Sequence, residues 1–167
     1  MSDTRDQIRR CVHDIPGIHF SRVSRELDLA TGQVQYHLYR LIRADKVVSE
    51  EISGQTHYFA PDFDPWERHA IAFLQRETPR EIIVRLHANG PTRPKTLASD
   101  LDLARSTIAW HVSNLVEHGI VEKSDATPMT LSLTRTKRTA ALLDAVSPSL
   151  PDRVVDRFVR TVDQLLE

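Results

Sequence analysis

The chain has 167 residues, of which 40% are hydrophobic and 27% charged, and its formal net charge is −1 at pH 7. This composition is typical of a soluble protein, and the length suits one domain or two small ones. No apolar run approaches the roughly 18 residues that span a bilayer, and the first residues lack a signal-peptide core, so we expect a cytoplasmic protein. The single cysteine, Cys11, excludes an internal disulfide and a cysteine-cluster metal site.

Three helices are predicted at the start of the chain. Residues 4–7 have the form of a capping box, with Thr4 and Gln7 at its ends, and Pro16-Gly17 ends the first helix. A second helix is predicted over residues 20–27 and a third over residues 31–44. The apolar side chains of the first helix recur at helical spacing and form its inward stripe: Ile8, Cys11, Val12 and Ile15.

A β-hairpin is predicted after the third helix, because the apolar pattern changes there from a period of 3.6 to a period of 2. Residues 46–52 and 56–60 form its strands, and Ser53-Gly54-Gln55 forms the turn. Residues 1–60 are therefore predicted to be a first domain. A linker helix is predicted within residues 61–78. Asp64 and Pro65 carry its start signal, and a second start signal at Thr78 predicts a break there.

The second domain, residues 79–134, is predicted to repeat the plan of the first. Its helices are expected at 79–88, 95–101 and 105–118, and its strands at 120–123 and 129–133. A shift of 74 residues aligns residues 27–41 with residues 101–115 without a gap. The identical pairs of this stretch are Leu27 and Leu101, Asp28 and Asp102, Leu29 and Leu103, Ala30 and Ala104, His37 and His111, and Leu41 and Leu115. The match indicates an internal duplication.

The remaining residues, 135–167, are predicted to form C-terminal helices over 135–146 and 150–166. The last of these has the broadest apolar stripe in the chain, and such a stripe must be covered. One interpretation is packing on the second domain. The other is a homodimer interface, for which the candidate residues are Val154, Val155, Phe158, Val162 and Leu165.

Three helices followed by a hairpin, with a tight turn before the third helix, is the winged helix-turn-helix plan. The motifs DLATGQVQYHL and DLARSTIAWHVSNLVEHGIV resemble those of winged-helix transcription regulators of the broad MarR/ArsR-like class, and the tandem arrangement is similar to archaeal regulators. The resemblance covers most of residues 5–138. It implies a mainly α fold with small β-hairpin wings, built from two tandem winged helix-turn-helix domains plus the linker and C-terminal helices. The first wing departs from the usual basic pattern, since it carries Glu50 and Glu51.

In such a fold the third helix enters the major groove of double-stranded DNA, where Gln pairs with adenine and Arg with guanine. The residues expected to face the bases are Gln33, Gln35, Tyr36 and Arg40 in the first domain and Arg105, Ser106, Thr107, Trp110 and Asn114 in the second. The residues expected to contact phosphate are Arg22, Arg43, Arg93, Lys95, Lys123 and Arg135. Residues 1–60 have no net charge, whereas residues 79–138 have a net charge of +3, which favours the second domain as the binder of a polyanion.

Other interpretations of individual residues are weaker. Tyr36 and Trp110 occupy the same repeat position and are expected to cover the edge of the core, although a contact with DNA is the alternative. His37 and His111 are interpreted as packing or capping residues. Cys11 is interpreted as buried packing. No histidine pair has metal-ligand spacing, and no nucleophile elbow or Gly-rich phosphate loop is present, so no metal, cofactor or enzymatic activity is expected.

The sequence thus predicts a sequence-specific DNA-binding transcription regulator that acts as a homodimer and also contacts the transcription machinery. The alternative is a tandem winged-helix module for protein–protein interaction in a chromosome or transcription complex, which the acidic first wing would suit. A division of labour, with one domain on DNA and the other on a partner, also remains open.

Overall fold

The computed structural model of the protein describes residues 3–146. These residues form two compact units, the first ending at Ala72 and the second beginning at Phe73. The fold is mainly helical with small antiparallel hairpins, as predicted. No helix in the described range is both long enough and apolar enough to cross a membrane.

Unit 1 contains three helices and a hairpin, followed by the start of a connecting helix. Its elements are α1 (Thr4–Asp14), α2 (Phe20–Leu27), α3 (Thr31–Arg43), β1 (Val48–Ile52), β2 (Gln55–Phe59) and α4 (Pro65–Leu74). The hairpin has a two-residue turn, because Ile52 pairs with Gln55. Ser53 and Gly54 both have positive φ in this turn, which matches the right-handed twist of the strands.

The core of unit 1 is formed where the three helices meet. Its members are apolar residues at helical spacing, all at most 3% exposed: Ile8 and Val12 of α1, Val23 of α2, and Val34, Leu38 and Leu41 of α3. Cys11 is buried beside them, as predicted. Ile18 forms a bridge to Tyr58, which attaches the α1–α2 loop to the hairpin. The helices and the wing therefore share one apolar centre, and the opposite face of α3 is left outside it.

Unit 2 repeats this architecture. Its elements are α5 (Glu77–Asn89), α6 (Pro94–Leu101), α7 (Arg105–Glu117), β3 (Val121–Lys123), β4 (Leu131–Leu133) and α8 (Thr136–Ala145). Thr92, at the repeat position of Ile18, bridges to Leu131 in the same way. The core side chains are again at most 2% exposed: Ile82, Ile83, Leu86, Leu97, Ile108 and Leu115.

The turn before the third helix is the same in both units. Asp28 and Asp102 end α2 and α6 in the left-handed conformation, with φ of 50° and 53°. Their successors bond back to the helix, since Leu29 N–H donates to Ser24 at 3.1 Å and Leu103 N–H donates to Ala98 at 3.0 Å. The identical Asp-Leu-Ala segment thus corresponds to one backbone geometry, which sets the angle at which α3 and α7 begin.

The two predicted threonine caps are wrong. Thr4 is the first residue of α1 and Asp3 precedes it as the N-cap, without a side-chain cap. Thr78 lies buried inside α5, because the break comes earlier and Arg76 is the N-cap. The spacings Thr-x-x-Gln and Thr-x-x-Glu occur inside the first turns of helices as well as at N-caps. A prediction from the spacing alone therefore put both N-caps at the wrong residue. The predicted cap at Asp64 is confirmed, since its carboxylate accepts from Glu67 N–H at 2.8 Å.

The end of α3 also differs from the prediction, which extended the strand back to Lys46. Lys46 N–H donates to Leu41 at 2.9 Å, and Asp45 N–H donates to Ile42 at 3.1 Å. Asp45 is left-handed with φ of 55°. These bonds form a Schellman cap, so residues 44–46 finish the helix and the strand begins at Val48. Gly119 has the same role at the end of α7.

The helix predicted over residues 135–146 is confirmed as α8. The helix predicted over residues 150–166 lies outside the described residues, and so do all five candidate dimerisation residues.

Candidate nucleic-acid interface

The exposed face of α3 lies opposite the side that enters the core. Because Val34, Leu38 and Leu41 point inward, the residues half a turn away face solvent. Tyr36 is 52% exposed, and Tyr39 is 56% exposed. Arg40 and Arg43 are exposed on the same face. Tyr36 and Arg40 were predicted for this surface, whereas Tyr39 was missed, although its position three residues after Tyr36 could have indicated it.

The two tyrosines are paired with the two arginines one turn further along the helix. Arg40 donates to the Tyr36 hydroxyl at 3.3 Å, and its guanidinium lies 5.9 Å from the ring centroid. Arg43 donates to the Tyr39 hydroxyl at 2.9 Å, with a centroid distance of 5.7 Å. Each guanidinium is therefore held by a hydrogen bond and a cation–π contact.

The glutamines of α3 have different roles in the free protein. The side-chain oxygen of Gln33 accepts from Ala30 N–H at 3.4 Å, so Gln33 partly caps the helix start. Gln35 is exposed. The segment TGQVQYHLYRLIR that forms α3 contains no acidic residue. The surface is therefore polar, aromatic and basic.

On α7 the predicted base-reading residues divide into two groups. Arg105, Ser106 and Trp110 are exposed, and Trp110 is 56% exposed. Thr107 and Asn114 are only partly exposed. Asn114 donates its side-chain amide to the carbonyl oxygen of Trp110 at 3.0 Å, one turn back on the same helix. Asn114 is therefore less available for base reading than Arg105, Ser106 and Trp110.

The interpretation of Tyr36 and Trp110 as covers of the core edge stays a prediction, since about half of each residue is exposed. Each ring contacts the next histidine edge to face, with centroids 5.1 Å apart for Tyr36 and His37 and 4.8 Å apart for Trp110 and His111. His111 is 4% exposed, which supports its predicted packing role. His37 is partly buried.

Arg76 is a further residue of this surface that the sequence did not indicate. It is the N-cap of α5, yet its guanidinium lies 5.9 Å from the ring centroid of Trp110 on α7. The two residues are 34 positions apart, so no local pattern connects them. The aromatic ring at this repeat position contacts an arginine in both units, although the arginine comes from different elements.

The candidate phosphate-contacting residues lie on several elements. Arg93 and Lys95 are exposed at the start of α6, Lys123 is exposed on β3, and Arg135 is exposed at the start of α8. Arg22 on α2 is less available, because its guanidinium pairs with Glu26 at 3.3 Å and only 25% of its side chain is exposed.

The first wing is less acidic than its sequence suggests. Glu50 on β1 accepts hydrogen bonds from Arg68 and His69 of α4, the latter at 2.9 Å. Burial acts to raise the pKa of Glu50, but the hydrogen bonds from Arg68 and His69 outweigh burial and hold that pKa below its ordinary value. Glu51 alone is exposed on this strand as a carboxylate. The acidic wing thus serves partly to hold α4, a role that the sequence did not predict.

Within the described range, no group of three or more potential ligand side chains could hold a metal ion. The described surface of α3 and α7 instead offers donors, aromatic rings and guanidinium groups. This chemistry suits contacts with base edges and phosphates.

Comparisons with known proteins agree with this architecture. Residues 2–71 match a family model described as an N-terminal HTH domain, and residues 74–124 match one described as a helix-turn-helix domain. The chain therefore consists largely of two helix-turn-helix domains in tandem. The helix-turn-helix domain is a class of DNA-binding module.

A curated protein and a solved structure are also similar to parts of the chain. The HTH-type transcriptional regulator MJ1398 of Methanocaldococcus jannaschii is 26% identical over 125 residues, which is 75% of this chain and 32% of that protein. The chain thus spans about a third of the length of this relative. The crystal structure of the DIP2311 protein from Corynebacterium diphtheriae aligns with 78% of this chain and with 26% of its own chain, with 12% identity and a TM-score of 0.31.

Proposed function

We propose that the protein is a sequence-specific DNA-binding transcription regulator that places α3, α7 or both in the major groove. The observation that carries the proposal is the exposed face of each third helix, which lies opposite the core and presents donors and guanidinium groups. The helix-turn-helix matches and the similarity to an HTH-type transcriptional regulator support the same function.

On α7, Arg105 is the principal base-reading candidate. It is exposed at the first position of the helix, and the N-terminal residues of a recognition helix contact base edges. Arginine pairs bidentately with guanine, and loss of such a pair costs about 1–3 kcal/mol. Ser106 and Trp110 accompany it. Asn114 contributes less, because it already donates to the Trp110 carbonyl.

On α3, Gln35 is the principal base-reading candidate, because it is exposed and makes no contact with the helix start, unlike Gln33. The other members of the interface are exposed basic residues that contact phosphate: Arg43, Arg93, Lys95, Lys123 and Arg135. Phosphate contacts position the protein and add salt dependence without reading sequence.

We further propose that the chain acts in the cytoplasm as a homodimer, which forms through the apolar stripe of residues 150–166. On DNA, the dimer recruits or blocks the transcription machinery. The proposed domains are the first winged helix at 1–60, the linker helix at 61–78, the second winged helix at 79–134 and the C-terminal helices at 135–167. This part of the proposal rests on the sequence pattern, since the stripe residues Val154, Val155, Phe158, Val162 and Leu165 belong to an amphipathic segment that must be covered.

The test is selection of bound sequences from random double-stranded DNA, followed by titration of the selected site. The expected result is an enriched motif, and a roughly fivefold to 150-fold loss of affinity for it in Arg105→Ala. Arg85→Ala is the matched control, since it removes an exposed arginine from α5 outside the interface. No enriched motif, or an equal effect of the two variants, would contradict the proposed reading role.

A further inference from the structure

The 74-residue repeat permits a position-by-position comparison of the two third helices. Tyr39, Arg40 and Arg43 of α3 correspond to Ser113, Asn114 and Glu117 of α7. The second half of α3 therefore carries two positive charges where the same part of α7 carries one negative charge. The second half of α3 is thus more basic than that of α7, although residues 1–60 have a lower net charge than residues 79–138.

Two acidic residues of unit 1 form ion pairs with basic side chains that lie away from α3. Asp6 pairs with Arg9 at 2.7 Å and with Arg10 at 2.9 Å on α1. Glu50 pairs with Arg68 and His69. These carboxylates are neutralised on elements other than α3, and no carboxylate among the described residues forms an ion pair with Arg40 or Arg43.

The tyrosine contacts leave the two guanidinium groups able to bind an anion. A guanidinium has five N–H donors, and the hydroxyl contact uses one N–H of Arg40 and one of Arg43. The ring contact further restricts each side chain. An arginine that is already held loses less conformational freedom when it binds, so binding is stronger for the same contacts.

We propose that Tyr36–Arg40 and Tyr39–Arg43 form a phosphate clamp, by which unit 1 contacts the DNA backbone although residues 1–60 carry no net charge. Arg40 and Arg43 are the binding residues. Tyr36 and Tyr39 are positioning residues that hold the guanidinium groups towards the phosphates. The proposal rests on the proposed DNA-binding function and assigns backbone contact to the second half of α3. It leaves base reading to the other exposed residues of α3 and α7.

The test is the salt dependence of binding to the selected DNA site. Each phosphate contact contributes about 0.9 to the slope of log affinity against log salt concentration, so Arg40→Gln with Arg43→Gln should reduce the slope by about two. The enriched sequence should not change. The control pair is Arg9→Gln with Arg10→Gln, which removes the same charge from α1, and its slope should equal that of the parent.

The positioning role is tested separately. Tyr36→Phe with Tyr39→Phe removes both hydroxyl groups and keeps both rings and both charges. We expect the slope to remain unchanged, whereas affinity at fixed salt falls about threefold to tenfold. Arg40→Lys with Arg43→Lys should behave similarly, because lysine retains the charge without the planar fork. Unchanged affinity in the tyrosine pair would overturn the positioning role of the two hydroxyl groups.

The outcomes separate this proposal from the proposed function. If the parent binds a selected motif and the Arg40/Arg43 glutamine pair has the parental slope, the clamp is wrong and the function stands. If the parent binds no DNA at low salt, both are wrong. All the substituted side chains are exposed, so the circular dichroism spectra and thermal midpoints of the variants should match those of the parent. The single variants Arg40→Gln and Arg43→Gln provide a second measurement of the salt dependence, and each should reduce the slope by about one.

Discussion

Arg80 connects two helices of unit 2 that are distant in the sequence. It lies on α5, and its guanidinium donates to the carbonyl oxygens of Val146 at 2.6 Å and Leu143 at 2.9 Å. A third contact, to Leu74, is longer at 3.3 Å. The last carbonyls of a helix have no partner within the helix, so Arg80 caps the end of α8 and complements its dipole. We therefore predict that Arg80→Met loosens α8.

The expected size follows from these contacts. A hydrogen bond from a charged donor contributes about 1.5–3 kcal/mol, and the long contact to Leu74 adds little. Because Arg80 is only partly buried, water can reach the carbonyls in the variant and recover part of the loss. The free energy of unfolding should therefore fall by about 2–4 kcal/mol. Arg80→Lys should lose about half as much, since an ammonium cannot span two carbonyls as a planar fork does.

The assay combines urea unfolding with amide hydrogen exchange. Exchange of the amides in α8 should accelerate by about thirtyfold to several hundredfold in Arg80→Met, because each 1.4 kcal/mol corresponds to a factor of ten. Arg85→Met is the matched control, since Arg85 is an exposed arginine on the same helix. A change below about 0.5 kcal/mol in Arg80→Met, or α8 exchange equal to that of the control, would refute the capping role.

Three further predictions concern unit 1. Glu50 has a lowered pKa, so its contribution to stability is present above its ordinary pKa of 4.5 and is lost as the pH falls through the lower folded value; Glu50→Gln should therefore flatten the acid limb of thermal melts, and a parallel limb would contradict this. Asp45→Gly should increase the free energy of unfolding by about 0.5 kcal/mol and so raise the urea midpoint, because glycine adopts the left-handed cap conformation without strain, as Gly119 does. A lowered midpoint would show that Asp45 is not strained in this conformation. Burial raises the pKa of the Cys11 thiol, so its reaction with a thiol reagent at pH 8 should be at least tenfold slower in the native protein than in urea, and equal rates would exclude burial.

Periodicity located most elements within two residues of their observed ends. Apolar spacing reports which side of a helix is buried, and this information is local. It therefore placed α1 to α3 correctly, together with their counterparts α5 to α7. The repeat added the identical Asp-Leu-Ala turn, which has the same backbone conformation in both units.

The candidate interface was predicted less completely than the fold. Exposure of Gln35, Arg105 and Trp110 followed from helical spacing, because these positions face away from the core. The engagement of Asn114 with a backbone carbonyl did not follow, since a side chain at the edge of a helical face can turn either way. Tyr39 and Arg43 are four residues apart on α3, a spacing that allows a contact. The spacing alone does not show whether the guanidinium lies over the tyrosine ring or extends into solvent.

The sequence by itself therefore determined the two helix-turn-helix units, the faces that they bury and the helices that face solvent, because each of these depends on the order of apolar and polar residues along one element. Only the tertiary structure decided which charges are neutralised and which are available. Glu50 meets α4 from 18 residues away, Arg76 reaches Trp110, and Arg80 reaches α8 from 63 residues away. Such partners depend on how the elements pack, and a net charge counted along the chain contains no information about them.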